Sequence, residues 1–170
     1  MIHYLIGDAT EPIKTPAIIA HICNDLRPGA WGSGFVVALS NKDKRPEMAY
    51  REWSHKGSYD GTEYKLGQYI LVDFKENVKV ANILGQHSIM RKGEEKPIRY
   101  DAVKSALTKI FKEATKSGCS VHMPRIGCER AGGSWNEIEP IILDTQKSVE
   151  TYVYTLEFQK HLWNDAYENI

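Results

Sequence analysis

Two segments of this sequence share one build: a short apolar run, a glycine-rich stretch, and then the start of a helix. Ala17–Cys23 (AIIAHIC) is a continuous β-prone run, the pattern of a strand covered on both faces, and it leads into NDLRPGAWGSG, Asn24–Gly34. Ser120–Met123 leads in the same way into PRIGCERAGG, Pro124–Gly133. Helical patterns follow, opening at Phe35 and at Trp135. Glycine lets backbone N–H groups approach an anion closely, and the next helix adds unpaired N–H groups and a partial positive charge. Two such loops on one sheet edge suit a diphosphate gripped from both sides, at the carboxyl ends of strands. Taken singly, either loop can also be a tight turn that needs glycine. No Lys-Ser/Thr follows either loop and no GxGxxG occurs, so these are neither Walker loops nor dinucleotide fingerprints.

The rest of the chain alternates strand and helix patterns. Strands are expected at Ile2–Ile6, Tyr69–Phe74, Val78–Leu84 and Thr151–Leu156, and helices at Pro46–Lys56, Tyr100–Lys116 and Trp135–Gln146. Ser88–Pro97 is charged and without pattern, and reads as a mobile loop. The architecture that follows is α/β, a helix–sheet–helix sandwich. One domain is expected over residues 1–170, with a helical extension over 157–170 in which Phe158, Leu162, Trp163 and Tyr167 make one apolar stripe.

Lys plus Arg and Asp plus Glu both number 22, so the basic excess that duplex binding uses is missing and nucleic acid is a poor partner. The three cysteines lie far apart with no metal-ligand spacing, and neither a metal nor a cofactor is expected. MIHYLIGDAT runs straight into a strand, not a charged and then apolar leader. The apolar runs fall well short of the roughly 20 residues of a membrane span. A monomer in a reducing, cytoplasmic setting, away from membranes, is the expectation.

GDAT (7–10), AHICN (20–24), GAWGSGF (29–35), ANILGQ (81–86), MPRIGC (123–128) and VYTL (153–156) together resemble the macro domain family. They span almost the whole chain in the family's order. The branch they are most similar to holds the terminal ADP-ribose protein glycohydrolase and the yeast ADP-ribose 1″-phosphate phosphatase. The resemblance implies a three-layer α/β/α sandwich with a mixed central sheet, and ADP-ribose, free, derivatised or on a protein, as the ligand. It implies that Asp8 meets the adenine amino group, with the Ala9 N–H beside it. Trp31, Gly32, Ser33, Gly34 and Phe35 would wrap the distal ribose and one phosphate. Arg125, Ile126, Gly127 and Cys128, with Ala131, Gly132 and Gly133, would form the second phosphate loop. Tyr154 would face the adenine and Leu156 would line the same end.

The chain departs from its relatives where the glycohydrolase carries a lysine and an aspartate. Gly85-Gln86 and Ala131 stand at those places, and neither offers a nucleophile or base. The phosphatase pattern HxCN is kept as His21-Ile22-Cys23-Asn24. His21 is therefore the first candidate to activate water or protonate a leaving group. Asn24 is the candidate to hold the ribose hydroxyls, and Asp25 is a further base, with His87 entering from the loop. His21 can equally be a core histidine, Asp25 a turn residue and Trp31 a pin of its loop. Two functions follow: hydrolysis of an ADP-ribose derivative at its distal ribose, or binding of ADP-ribose without turnover.

Overall fold

The computed structural model describes residues 1–91 and 93–169. Its elements run β1 (Ile2–Ile6), β2 (Ala17–Asn24), α1 (Phe35–Lys42), α2 (Arg45–Lys56), β3 (Ser58–Tyr59), β4 (Thr62–Glu63), β5 (Tyr69–Asp73), β6 (Val78–Gln86), α3 (Tyr100–Ser117), β7 (Ser120–Met123), α4 (Trp135–Thr145) and β8 (Thr151–Thr155). Six strands form one sheet in the order β1-β8-β7-β2-β6-β5. All neighbours are parallel except β5, which is antiparallel to β6 at the edge. The mixed central sheet of the expected sandwich is thus present.

Side-chain alternation along β2 shows why its apolar run is continuous. Ile18 and Ala20 pack with Leu107 and Ile110 of α3 and Ile138 of α4. Ala17 and Ile19 point the other way, onto Leu39 of α1 and Tyr50 and Trp53 of α2. Full burial of an aliphatic or aromatic side chain stabilises by roughly 1.5–3 kcal/mol, so a strand buried on both faces anchors both helical layers. The apolar stripe read on α3, from Ala102 to Ala114, is buried throughout. The β3–β4 hairpin was not expected. Its signal was present in the sequence: Asp60-Gly61, with φ of 46° and 81°, is the dipeptide that a tight primed turn takes.

The C-terminal segment departs from expectation. A 3₁₀ helix covers only Glu157–Leu162, and residues 163–169 have no regular structure; Ile170 lies outside the described residues, as does Lys92 of the 88–97 loop. The cause is Arg125. Trp163 lies 4.6 Å from its guanidinium carbon, Asp165 pairs with it, and the Tyr167 hydroxyl is 3.4 Å from it. Residues 163, 165 and 167 turn the same way, which is the period of an extended chain and not of a helix. The expected stripe does not form, and Phe158 and Leu162 remain 71% and 56% exposed.

Candidate functional site

A cavity of 490 Å³ follows the carboxyl ends of the strands. Gly7 and Asp8 after β1, Tyr154 and Leu156 at β8, Ile126 and Gly127 after β7, Asn24 of β2 and Gln86 of β6 all line it. The strand order therefore orders the cavity: β1 and β8 at one end, β7 and β2 in the middle, β6 at the other. Four interstrand spacings of roughly 4.8 Å give it a length of about 19 Å.

Side chains build the first glycine loop. Asn24 Oδ1 accepts from the Leu26 N–H (3.2 Å), the Ala30 N–H (3.2 Å) and the Tyr50 hydroxyl (2.9 Å), and its Nδ2 donates to the Ala30 carbonyl (2.8 Å). Asn24 thus ties the loop through its amide while standing on the cavity wall. A Cβ on Gly29 would lie 2.4 Å from the Tyr50 ring, so that close approach admits glycine only. Trp31 is also corrected from ligand contact to loop pin. It is absent from the cavity wall, its indole N–H donates to Ser40 Oγ (2.8 Å), and its ring packs 5.3 Å from Tyr50. Gly32, Ser33, Gly34 and Phe35 are left on the wall, as the sequence suggests.

Backbone builds the second loop. The Gly133 N–H donates to the Gly127 carbonyl at 2.7 Å, and a Cβ on Gly133 would sit 2.5 Å from that oxygen. Arg125, Ile126, Gly127 and Ala131 line the cavity, whereas Cys128, Gly132 and Gly133 stand behind the wall. Burial pushes the Cys128 thiol up to about 11, which removes it as a nucleophile. Arg125 also changes role. Its guanidinium is boxed by Tyr4, Trp135 and Trp163, bonded through Nε to Thr155 Oγ1 (3.1 Å) and paired with Asp165, so its charge is spent inside the protein.

At the β1/β8 end, Asp8 Oδ1 accepts from the Thr10 N–H and hydroxyl, both at 2.8 Å, and Ala9 is on the wall beside it. Tyr154 reaches the wall but is 4% exposed, with its hydroxyl at 2.8 Å from His122 Nδ1 and accepting from the Ile13 N–H. No open ring face is left on it for an adenine.

His21 lines the cavity yet is 2% exposed, with Nε2 2.5 Å from Asn82 Oδ1 and the Trp31 ring edge-on at 5.5 Å. Burial pushes its pKa down to about 4, so the ring is held neutral. The Cys23 sulfur lies 4.0 Å from its Nδ1 and 3.9 Å from its Nε2. His21 is thus an almost fully buried histidine on the cavity wall, with Nε2 engaged by Asn82. Asp25 and His87 are both off the wall and meet each other: Asp25 Oδ2 lies 2.9 Å from His87 Nδ1.

No family model matches the chain. Over 91% of its length it superposes on 99% of a macrodomain protein from Streptomyces coelicolor, with a TM-score of 0.77 and 40% identity. The chain belongs to the macrodomain family. An alignment of 165 positions that covers 90% of the chain is 32% identical to the mouse chromodomain-helicase-DNA-binding protein 1-like, of whose length the chain spans only 17%. An ADP-ribose 1″-phosphate phosphatase of Lodderomyces elongisporus is 26% identical over 92% of the chain and 99% of its own length.

In this macrodomain the wall also contains residues that sequence reasoning missed. Phe158 and Gln159 close the β1/β8 end, and Arg130 stands in the middle. The Arg130 side chain crosses from the second loop to within 3.9 Å of a Cβ position on Gly34 in the first. Phe158 was read as one residue of a helical stripe; its place directly after an aromatic-rich strand was the only available signal. Arg130 carried none beyond sitting in a glycine loop.

Proposed function

We propose that this macrodomain binds an ADP-ribose-type ligand along the strand ends and hydrolyses the substituent on its distal ribose. One observation carries the reading: two glycine loops face each other across the middle of a single cavity, with Arg130 spanning them. The loop amides and Arg130 would hold the diphosphate there. Adenine would lie at the β1/β8 end, against Leu156 and the exposed ring of Phe158, with Asp8 toward its amino group. The distal ribose then reaches the β2/β6 end. Fixing both phosphates supplies orientation, and the amides stabilise charge that develops nearby. The likeness to a protein named ADP-ribose 1″-phosphate phosphatase supports a phosphate monoester, or a related ADP-ribosyl adduct, as substrate.

A second reading, binding without turnover, is favoured by a specific finding: Gln86 and Ala131 offer no base, and His21 and Asn24 are bonded inside the fold. Incubation with ADP-ribose 1″-phosphate and with ADP-ribosylated protein separates the two. Release of phosphate or of ADP-ribose is expected; tight ADP-ribose binding with neither product would overturn hydrolysis and leave a reader module.

A further inference from the structure

We propose that His87, positioned by Asp25, is the acid–base group that acts on the distal-ribose substituent; this rests on the hydrolase reading above. Asp25 follows the last residue of β2 and His87 follows the last residue of β6, on strands that pair in parallel. The Asp25 N–H donates to the Gln86 carbonyl (3.1 Å) and the His87 N–H to the Pro97 carbonyl (2.8 Å), which fixes the backbone of both. Each Asp25 oxygen has one partner: Oδ2 meets His87 Nδ1 at 2.9 Å, and Oδ1 accepts from the Ser88 N–H at 2.8 Å. Ser88 holds a φ of 60°, a region that non-glycine residues seldom occupy. A carboxylate on one imidazole nitrogen sets the tautomer and leaves Nε2 for chemistry.

Neither His87 nor Asp25 is on the cavity wall itself, but both are bonded beside residues that are. Asn24, Gln86 and Ile89, the chain neighbours of the pair, are on the wall, while the His87 side chain is 60% exposed and that of Asp25 17%. By strand order this is the end opposite Asp8 and Phe158, where a group projecting from the distal ribose emerges. The other five histidines are elsewhere or spent: His21 on Asn82, His122 buried in β7, His3 on Glu168 of the tail, His55 in the last turn of α2 and His161 in the 3₁₀ segment.

A 1″-phosphate is hydrolysed by displacement at phosphorus. His87 Nε2 accepts a proton from a water whose oxygen forms a bond to phosphorus. The bond from phosphorus to the ribose oxygen breaks, its electron pair stays on that oxygen, and the proton passes from His87 to it. Inorganic phosphate and ADP-ribose leave, and the pair is returned to its starting state. Asp25 acts through His87, as a positioning residue.

The test uses the full chain, ADP-ribose 1″-phosphate as substrate, and calorimetric titration with ADP-ribose. His87→Ala is expected to lower kcat about 100-fold, within the range of general acid–base catalysis, with ADP-ribose affinity within about threefold of the parent. Added imidazole should restore part of that rate in a saturable way. His87→Asn, whose amide N–H can keep the bond to Asp25, should retain the parent melting temperature and be as slow as His87→Ala. Asp25→Asn should lower kcat about tenfold, with KM little changed. A His87→Asn rate equal to the parent's, or a slow His87→Ala that imidazole leaves slow, would overturn the assignment and make the pair a loop latch, the hydrolase reading standing. A parent that binds ADP-ribose and releases no product from ADP-ribose 1″-phosphate or from ADP-ribosylated protein would overturn both.

Discussion

The two glycine loops reach the same cavity by opposite means: the first is tied by side chains, the second by its own backbone. Asn24, Tyr50, Ser54 and the Trp31–Ser40 bond fix the first. Backbone hydrogen bonds close the second, among them Gly133 N–H to the Gly127 carbonyl and Ile98 N–H to the Ala131 carbonyl. The difference explains why residues of chemical type in the first loop are not presented to a ligand. Their donors and acceptors are consumed in holding the backbone, and the amides that follow are what the cavity receives. Side chains anchor the second loop at its Arg125 end, while from Gly127 to Gly133 its shape depends on the absence of Cβ atoms.

Breaking the side-chain ties should give the largest effect. Asn24→Ala leaves buried partners without hydrogen bonds, and a loss of about 4 kcal/mol is expected. That corresponds to a melting temperature lower by roughly 8–16 °C for a chain of this size, measurable by calorimetry. A loss under 1 kcal/mol, together with collapse of turnover, would return Asn24 to the ligand.

Acid probes the strands that lead into both loops, through His21 and His122. Burial is the main cause holding each near a pKa of about 4, down from the ordinary histidine value of 6.5. The unfolded chain takes up protons first, so their stabilising contribution is complete above pH 6.5 and is lost as pH falls toward 4. Each should cost about 2 kcal/mol at pH 5, and replacing either by Gln should remove about half of the slope of melting temperature against pH. A flat profile over that window would show that the rings are not held neutral.

A methyl group tests the backbone-built loop. Gly133→Ala forces a Cβ against the Gly127 carbonyl, and a tenfold or greater loss of ADP-ribose affinity is expected, equivalent to about 1.4 kcal/mol. Unchanged affinity would detach the second loop from the ligand. The smallest effect belongs to Trp31→Phe, which removes one hydrogen bond and should lower stability by about 1 kcal/mol with affinity unchanged. Lost affinity at an unchanged melting temperature would make Trp31 a ligand residue after all.

Most of the fold was legible because its signals are local. Ala17–Cys23 is apolar on both faces, α3 carries an unbroken stripe, and both glycine stretches follow strands directly. The site was legible as backbone and much less so as side chains. Whether His21 points at a ligand or at Asn82 depends on a strand 61 residues away, and no spacing in the sequence encodes that contact. The cage around Arg125 was hidden for the same reason, since Tyr4, Trp135 and Trp163 converge on it from separate parts of the chain. The tail failed as a helix because that long-range cage outweighed a local apolar spacing.

The central claim is that one continuous cavity takes a base, a diphosphate and a second sugar in a row. Isothermal titration with ADP-ribose, beside AMP and ribose 5-phosphate, tests it most directly. One saturable site is expected, with ADP-ribose bound at least about tenfold more tightly than either fragment, because only the whole ligand engages both ends and both loops. Absence of binding, or an affinity for ADP-ribose no better than for AMP, would contradict it.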